Sequence, residues 1–262
     1  MTNDSAVRIA LVYPELLCTY GDRGNAIVLT NRLRWRNFAV ELIECPANAP
    51  LPAAVDIYCI GGGEDAPQAL AATGLRESAT TISNARDRGA AVLAVCAGFQ
   101  LICESYTDTD GTTSAGLGLV DATTTARAPR CIGEVLMRAH ESLGLTGEDA
   151  LVTGFENHGG RTTLGPGVIP FGTVSIGTGN DDAPEHGTRV DGALGERLIG
   201  TYLHGPVLAR NPALADRLLE WIIGPLPALP SPLEARLHAE RLDNARRRGF
   251  SAWRRDKRLA RG

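Results

Sequence analysis

The chain has 262 residues, 44% hydrophobic and 21% charged, an ordinary globular composition. No run approaches the roughly 20 apolar residues that span a bilayer, and the opening MTNDSAVRIALVY lacks a basic leader, which excludes a signal peptide from the expectation. The formal charge of −4 hides an acidic body with a basic tail, ten Lys/Arg against four Asp/Glu from Ser231 onward, so a nucleic-acid-binding face is not expected.

In chain order, Val7–Tyr13 reads as a buried strand, Gly24–Asn37 as a helix and Ala39–Ile43 as a second strand. Asp56–Ile60 is a third apolar run, ending in Gly61-Gly62-Gly63. Leu75–Arg88 has helical character. Ala91–Val95 is a fourth strand that runs straight into Cys96-Ala97-Gly98-Phe99-Gln100. Strands alternating with helices at this spacing predict an α/β fold with a mostly parallel central sheet flanked by helices. From about Gly111 to Gly200, short β-prone pieces between Gly, Asn and Asp clusters predict a short antiparallel extension.

Arg197–Tyr202 is a late strand candidate that leads to His204, and Asn211–Ile223 a helix with Asn211 as N-cap and Pro212 in its first position. The proline-rich stretch 225–232 divides a domain over 1–224 from an appendage over 225–262. Within the appendage, Leu233–Leu259 is helical and basic. Its apolar positions (Leu233, Leu237, Leu242, Phe250, Trp253, Leu259) are sparse, so it reads as a solvated arm. Arg246-Arg247-Arg248 and Arg254-Arg255 give it a weak capacity for a partner or an anionic membrane surface. The six cysteines show no CxxC pair and no zinc spacing, as in a reducing cytoplasm without a bound metal.

The segment AVLAVCAGFQLI carries the chemistry. A buried strand followed by a nucleophile, a small residue, a glycine and an apolar helix sets the side chain on a tight turn at the carboxyl end of the sheet. The helix beginning there aims N–H groups and partial positive charge at the Cys96 sulfur, which favours thiolate. The same N–H groups suit an oxyanion. By itself Cys96 could also be a small core residue, and the glycine run a flexible turn. His204, at a strand end, becomes a candidate general base only because a nucleophile exists elsewhere.

Together with Gly154-Phe155-Glu156-Asn157-His158-Gly159-Gly160-Arg161-Thr162 and Gly200-Thr201-Tyr202-Leu203-His204-Gly205, these residues resemble class I glutamine amidotransferases. The likeness is to the cobyric and cobyrinic acid synthase branch, and Tyr20-Gly21-Asp22-Arg23-Gly24-Asn25 is similar to the stand-alone GatD-type subunits of lipid II isoglutaminyl synthase. The resemblance spans about Val7 to Gly224. It implies that Cys96 attacks glutamine, that Ala97 and the Gly61–Gly63 loop (Gly62 and Gly63 above all) hold the oxyanion, and that His204 is the base. It also implies that Arg130 takes the glutamine α-carboxylate, beside Gln100 in the substrate site. His158 is read as structural or interfacial.

Many class I members carry His-x-Glu, whereas this chain has His204-Gly205-Pro206. A histidine without an orienting carboxylate is a poor base. Either a remote carboxylate or one from a partner subunit is then required, and the partner is the favoured expectation, with weak activity for the isolated chain. No P-loop or GxGxxG motif is present. The short stretch before the first strand leaves no room for a synthetase domain, so ATP and Mg are expected on a Mur-ligase-like partner, MurT, in a heterodimer that amidates lipid II. Amidation of another acceptor such as a corrinoid, or a non-catalytic assembly role, stays open.

Overall fold

The alternating pattern of the first part of the chain becomes one sheet covered by helices. In the computed structural model, residues 6–182, 187–230 and 232–259 are described, with 248–259 as backbone alone. The chain runs through β1 (Val7–Val12), α1 (Arg23–Arg34), β2 (Val40–Cys45), β3 (Ile57–Ile60), α2 (Asp65–Glu77), α3 (Ala79–Asp87), β4 (Ala91–Val95) and α4 (Ala97–Ile102). Every residue of β3 and β4 is buried, as expected of strands with helices on both faces. The helix expected over 75–88 starts at Asp65 instead, with Pro67 tolerated in its first turn. It breaks at Ser78 (φ −95°, ψ 0°), giving α2 and α3.

The middle of the chain builds more than a short extension. It forms β5 (Cys103–Thr107), β6 (Thr113–Ala115), β7 (Val120–Ala139), β8 (Leu151–Leu164), β9 (Gly172–Ile176) and β10 (Val190–Asp191). These order as β10-β9-β7-β5-β6 with β8 also on β7. The β7–β8 ladder runs from Ala122↔Leu164 to Arg138↔Leu151, with a register shift between Ala126 and Cys131. Glu156 and His158 thereby point inward while Asn157, between them, lies on the half-buried face.

The chain then returns as β11 (Ala193–Gly195) and β12 (Leu198–Thr201), completing the first sheet in the order β11-β12-β4-β3-β1-β2. All of its pairs are parallel except β11–β12. The carboxyl ends of β1, β3, β4 and β12 therefore lie along one edge, where α/β folds gather ligands.

Next come α5 (Val207–Arg210), α6 (Pro212–Ile223) and α7 (Pro232–Leu259). Asn211 stands at the N-cap of α6 with Pro212 next, as expected, but its side chain makes no capping bond. Its side chain pairs with the Thr153 backbone, accepting from the N–H (2.9 Å) and donating to the carbonyl (2.8 Å), and so ties this corner to β8. The first half of α7 is also no solvated arm: Leu242 and Ala245 are buried against Leu136, and His238 Nδ1 bonds the Arg210 carbonyl at 2.8 Å. The side chains of Arg248, Arg254 and Arg255, expected above to meet a partner or membrane, and of the apolar Phe250, Trp253 and Leu259 lie outside the described residues. Among the described residues, no helix is long and apolar enough to cross a membrane.

Arg32 clamps this appendage to the body. Its buried guanidinium meets Asp216 through two 2.7 Å bonds and also pairs with Glu234 at the start of α7. Arg32→Ala leaves Glu234 without its partner and Asp216 with Arg36 alone, in a partly buried corner. It is expected to destabilise the protein by about 2–4 kcal/mol, read as a lower urea midpoint, and an unchanged midpoint would contradict the clamp.

Candidate active site

Cys96 sits where β4 gives way to α4, with φ 52° and ψ −107°. A non-glycine residue holds such a conformation only when its surroundings fix it, and such strain gathers at functional turns. Its N–H donates to the Thr201 carbonyl at 2.8 Å, and the next glycine is required by space. A Cβ on Gly98 would lie 2.5 Å from the Ile60 carbonyl oxygen. The sulfur-bearing residue is 7% exposed.

His204 follows β12 and is 1% exposed. Its backbone is pinned to the second sheet by a two-bond bridge with Phe155, N–H of His204 to the Phe155 carbonyl at 2.9 Å and the reverse at 3.1 Å. The carboxylate missing at two residues past His204 is supplied from the other end of the chain. Asp22, 2% exposed, accepts from His204 Nδ1 at 2.9 Å through Oδ2. The expectation that a partner must orient this imidazole is therefore corrected, because Asp22 fills that place within the chain. Asp22 lies just ahead of α1, in the loop leaving β1, and sequence spacing from His204 gave no hint of it.

Burial disfavours the charged ring, but the Asp22 hydrogen bond, the neighbouring Cys96 sulfur and the Asp22 charge outweigh it and raise the His204 pKa to about 10. The buried Nε2 atom has no hydrogen-bond partner among the described residues, and the Cys96 sulfur is close enough to act on the ring. His158 is arranged otherwise. It is buried, its Nδ1 bonds the Gly160 carbonyl at 2.8 Å, and its ring stacks on Tyr202 at 3.7 Å. Among the described residues no hydrogen bond joins it to Cys96.

Of the remaining expected site residues, Gly63, Gln100 and Arg130 line one cleft of about 230 Å³ together with Cys96, Gln68 and His158, whereas Gly62 and Ala97 are not in its lining. A larger cavity of about 450 Å³ lies at the opposite end of the sheet, around Arg8 and Arg88, far from this chemistry. Gln100 accepts from Gln68 at 2.9 Å, which fixes its amide at the cleft wall. Gly62 does not offer an oxyanion donor as expected: its N–H is given to Asp22 Oδ2 at 2.8 Å. Its importance is spatial instead. Among the described residues, no group of three His, Cys, Asp or Glu side chains is placed to hold a metal ion.

A buried Cys on a strained elbow, a His beside it and an Asp behind the His have the arrangement that a nucleophile, an acid–base and an orienter require. Residues 8–212 match the model of the CobB/CobQ-like glutamine amidotransferase domain. The chain belongs to that family. This amidotransferase is 36% identical over 207 residues to the GatD subunit of the glutamine-hydrolyzing lipid II isoglutaminyl synthase of Staphylococcus aureus, covering 79% of this chain and 80% of that one. It is 31% identical to the Streptococcus pneumoniae GatD subunit, over 81% of this chain and 79% of the relative. Its fold resembles a Thermotoga maritima glutamine amidotransferase (TM-score 0.52, 13% identity, 94% of each chain). It also resembles the glutaminase domain of Trypanosoma brucei CTPS (TM-score 0.55, 12% identity, 86% of this chain and 97% of that one).

Proposed function

We propose that this amidotransferase is the glutaminase subunit of a two-subunit ligase, with Cys96, His204 and Asp22 as its working triad. The observation that carries the reading is the placement of one imidazole between a buried carboxylate and a thiol on an elbow. Cys96 thiolate attacks the glutamine carboxamide carbon, and the carbonyl electrons move onto oxygen. Gly63 and Ala97 N–H groups hold that oxyanion, since the Gly62 and Gly98 N–H groups are donated to Asp22 and to the Gly61 carbonyl. As the tetrahedral species collapses, the C–N bond breaks, His204 Nε2 gives its proton to the departing nitrogen, and ammonia leaves a glutamyl thioester. The ring, now neutral, takes a proton from water, whose oxygen attacks the thioester. The C–S bond then breaks to return thiolate, imidazolium and glutamate.

The acceptor follows from the relatives named GatD. The ammonia would pass to a Mur-ligase-like MurT subunit that holds ATP and Mg and activates the D-glutamate α-carboxylate of lipid II, giving D-isoglutamine in a cytoplasmic heterodimer. The decisive assay measures glutamate release from glutamine by the chain alone and with the synthetase. Because Asp22 completes the triad internally, the chain alone is expected to turn over, and amide formation on lipid II to appear only with the partner and ATP. No glutamate from either preparation would refute the reading.

A further inference from the structure

Asn157 lies on the half-buried face of β8 and holds two residues that belong to different halves of the reaction. Its Oδ1 accepts from Arg130 Nε at 3.1 Å, and its backbone carbonyl accepts from Arg130 Nη2 at 3.0 Å. Those two bonds fix the side-on edge of the guanidinium. The end-on edge, Nη1 and Nη2, is left for a carboxylate in the cleft that Arg130 lines. The other end of the same amide donates from Nδ2 to the Tyr20 hydroxyl at 2.6 Å. The assignment of amide oxygen and nitrogen follows from the partners, because a guanidinium only donates while a phenol oxygen also accepts.

Tyr20 in turn lies edge-on to the His204 ring, centroids 5.0 Å apart at 60°. It is 44% exposed, so it forms the outer cover of a histidine that is otherwise buried. Its backbone is left-handed (φ 58°), a costly state for tyrosine that the Asn157 bond helps to hold. Two residues on, the same turn delivers Asp22 to His204 Nδ1. One asparagine thus joins an arginine at the substrate cleft to the cover of the acid–base.

We infer that Asn157 is a positioning residue that sets glutamine affinity through Arg130 and turnover through Tyr20. The inference rests on the reading of Arg130 as the glutamine α-carboxylate site. Its two arms separate kinetically. Asn157→Ala is expected to raise the KM for glutamine about tenfold and lower kcat severalfold, the size of losing one charge-assisted hydrogen bond and one neutral one. Tyr20→Phe deletes one arm only and is expected to lower kcat with KM within about twofold of the parent.

The test is steady-state glutaminase kinetics on the full chain carrying Arg130→Ala, Asn157→Ala, both together, or Tyr20→Phe, with thermal denaturation of each. On the Arg130→Ala background, Asn157→Ala should add nothing further to KM. L-glutamine α-amide, which lacks the carboxylate, should show the same KM in the parent and in Asn157→Ala. A merely structural role would instead lower Tm and raise KM for both compounds alike. A damaging Arg130→Ala beside a silent Asn157→Ala overturns this inference alone. A silent Arg130→Ala removes the Arg130 reading and the inference with it.

Discussion

Asp22→Asn is expected to lower kcat for glutamine hydrolysis by about 10²–10³. Exchanging the carboxylate of a Ser-His-Asp triad for its amide costs about 10⁴. A thiolate–imidazolium pair is already ionised at rest and depends on the third member somewhat less. The loss has an atomic cause. Asp22 Oδ2 accepts from His204 Nδ1 at 2.9 Å and from the Gly62 N–H at 2.8 Å. An amide accepts only through its oxygen. Both bonds use Oδ2, and Oδ1 also lies 3.1 Å from Nδ1. If the NH₂ group takes the place of Oδ2, N–H donors meet at Gly62 and at Nδ1; if it takes the place of Oδ1, a donor stands beside Nδ1–H and the charge that holds the imidazolium is gone.

The pH behaviour carries the same signature. His204 has its pKa raised to about 10 by Asp22 and Cys96 against the opposing effect of burial. A raised histidine pKa stabilises the fold fully below the unfolded value near 6.5, and that stabilisation is lost as pH rises through about 10. Without Asp22 the folded pKa falls, so the imidazolium discharges nearer neutrality. The alkaline limb of kcat against pH should therefore move to lower pH in Asp22→Asn. An unmoved limb, or a kcat within tenfold of the parent, would show that Asp22 does not orient His204.

How much of this was legible without coordinates depends on distance along the chain. Cys96 is announced by its neighbours: a buried strand before it, Ala97 and Gly98 after it. That pattern needs only a few adjacent residues. His204 is announced by a strand end, though only in company with a nucleophile. Asp22 is separated from His204 by 182 positions, and only the folding of β1 beside β3, with β4 and β12 beyond, carries their ends together. The available signal was topological. A polar residue in the loop leaving β1 must reach the carboxyl edge of the sheet where Cys96 lies, and Tyr20-Gly21-Asp22 is that loop.

The second sheet was obscured for a different reason. Thr, Gly and Ala fill much of β7 and β8, so apolar alternation is weak, although Val120, Ala122 and Thr124 do alternate inward. Asn211 shows the limit of local rules: it occupies an N-cap position, yet the Thr153 backbone offers its amide two better bonds.

The same crowding that hides the site in sequence makes it sensitive to a single methyl group. Gly62→Ala is expected to lower kcat by about 10²–10³, since displacement of reacting groups by about 1 Å costs on the order of 10²-fold. A Cβ there would lie 2.6 Å from His204 Cε1, 3.0 Å from Asp22 Oδ2 and 3.2 Å from Cys96 Cβ, touching all three members of the triad. The loop has little freedom to retreat. Gly62 donates its N–H to Asp22 at 2.8 Å and accepts from the Thr19 N–H at 3.0 Å, so any shift that relieves His204 drags the carboxylate with it. The backbone of Gly62 is not left-handed, so the penalty is one of space and not of conformation. Gly133 in β7 supplies the contrast. A Cβ there meets nothing within 4 Å, and Gly133→Ala should keep kcat within about twofold of the parent. Parallel kinetics and far-UV circular dichroism on the two variants decide the matter. If Gly62→Ala retained both fold and turnover, the three side chains could not stand as close in the working protein as their positions around Gly62 require.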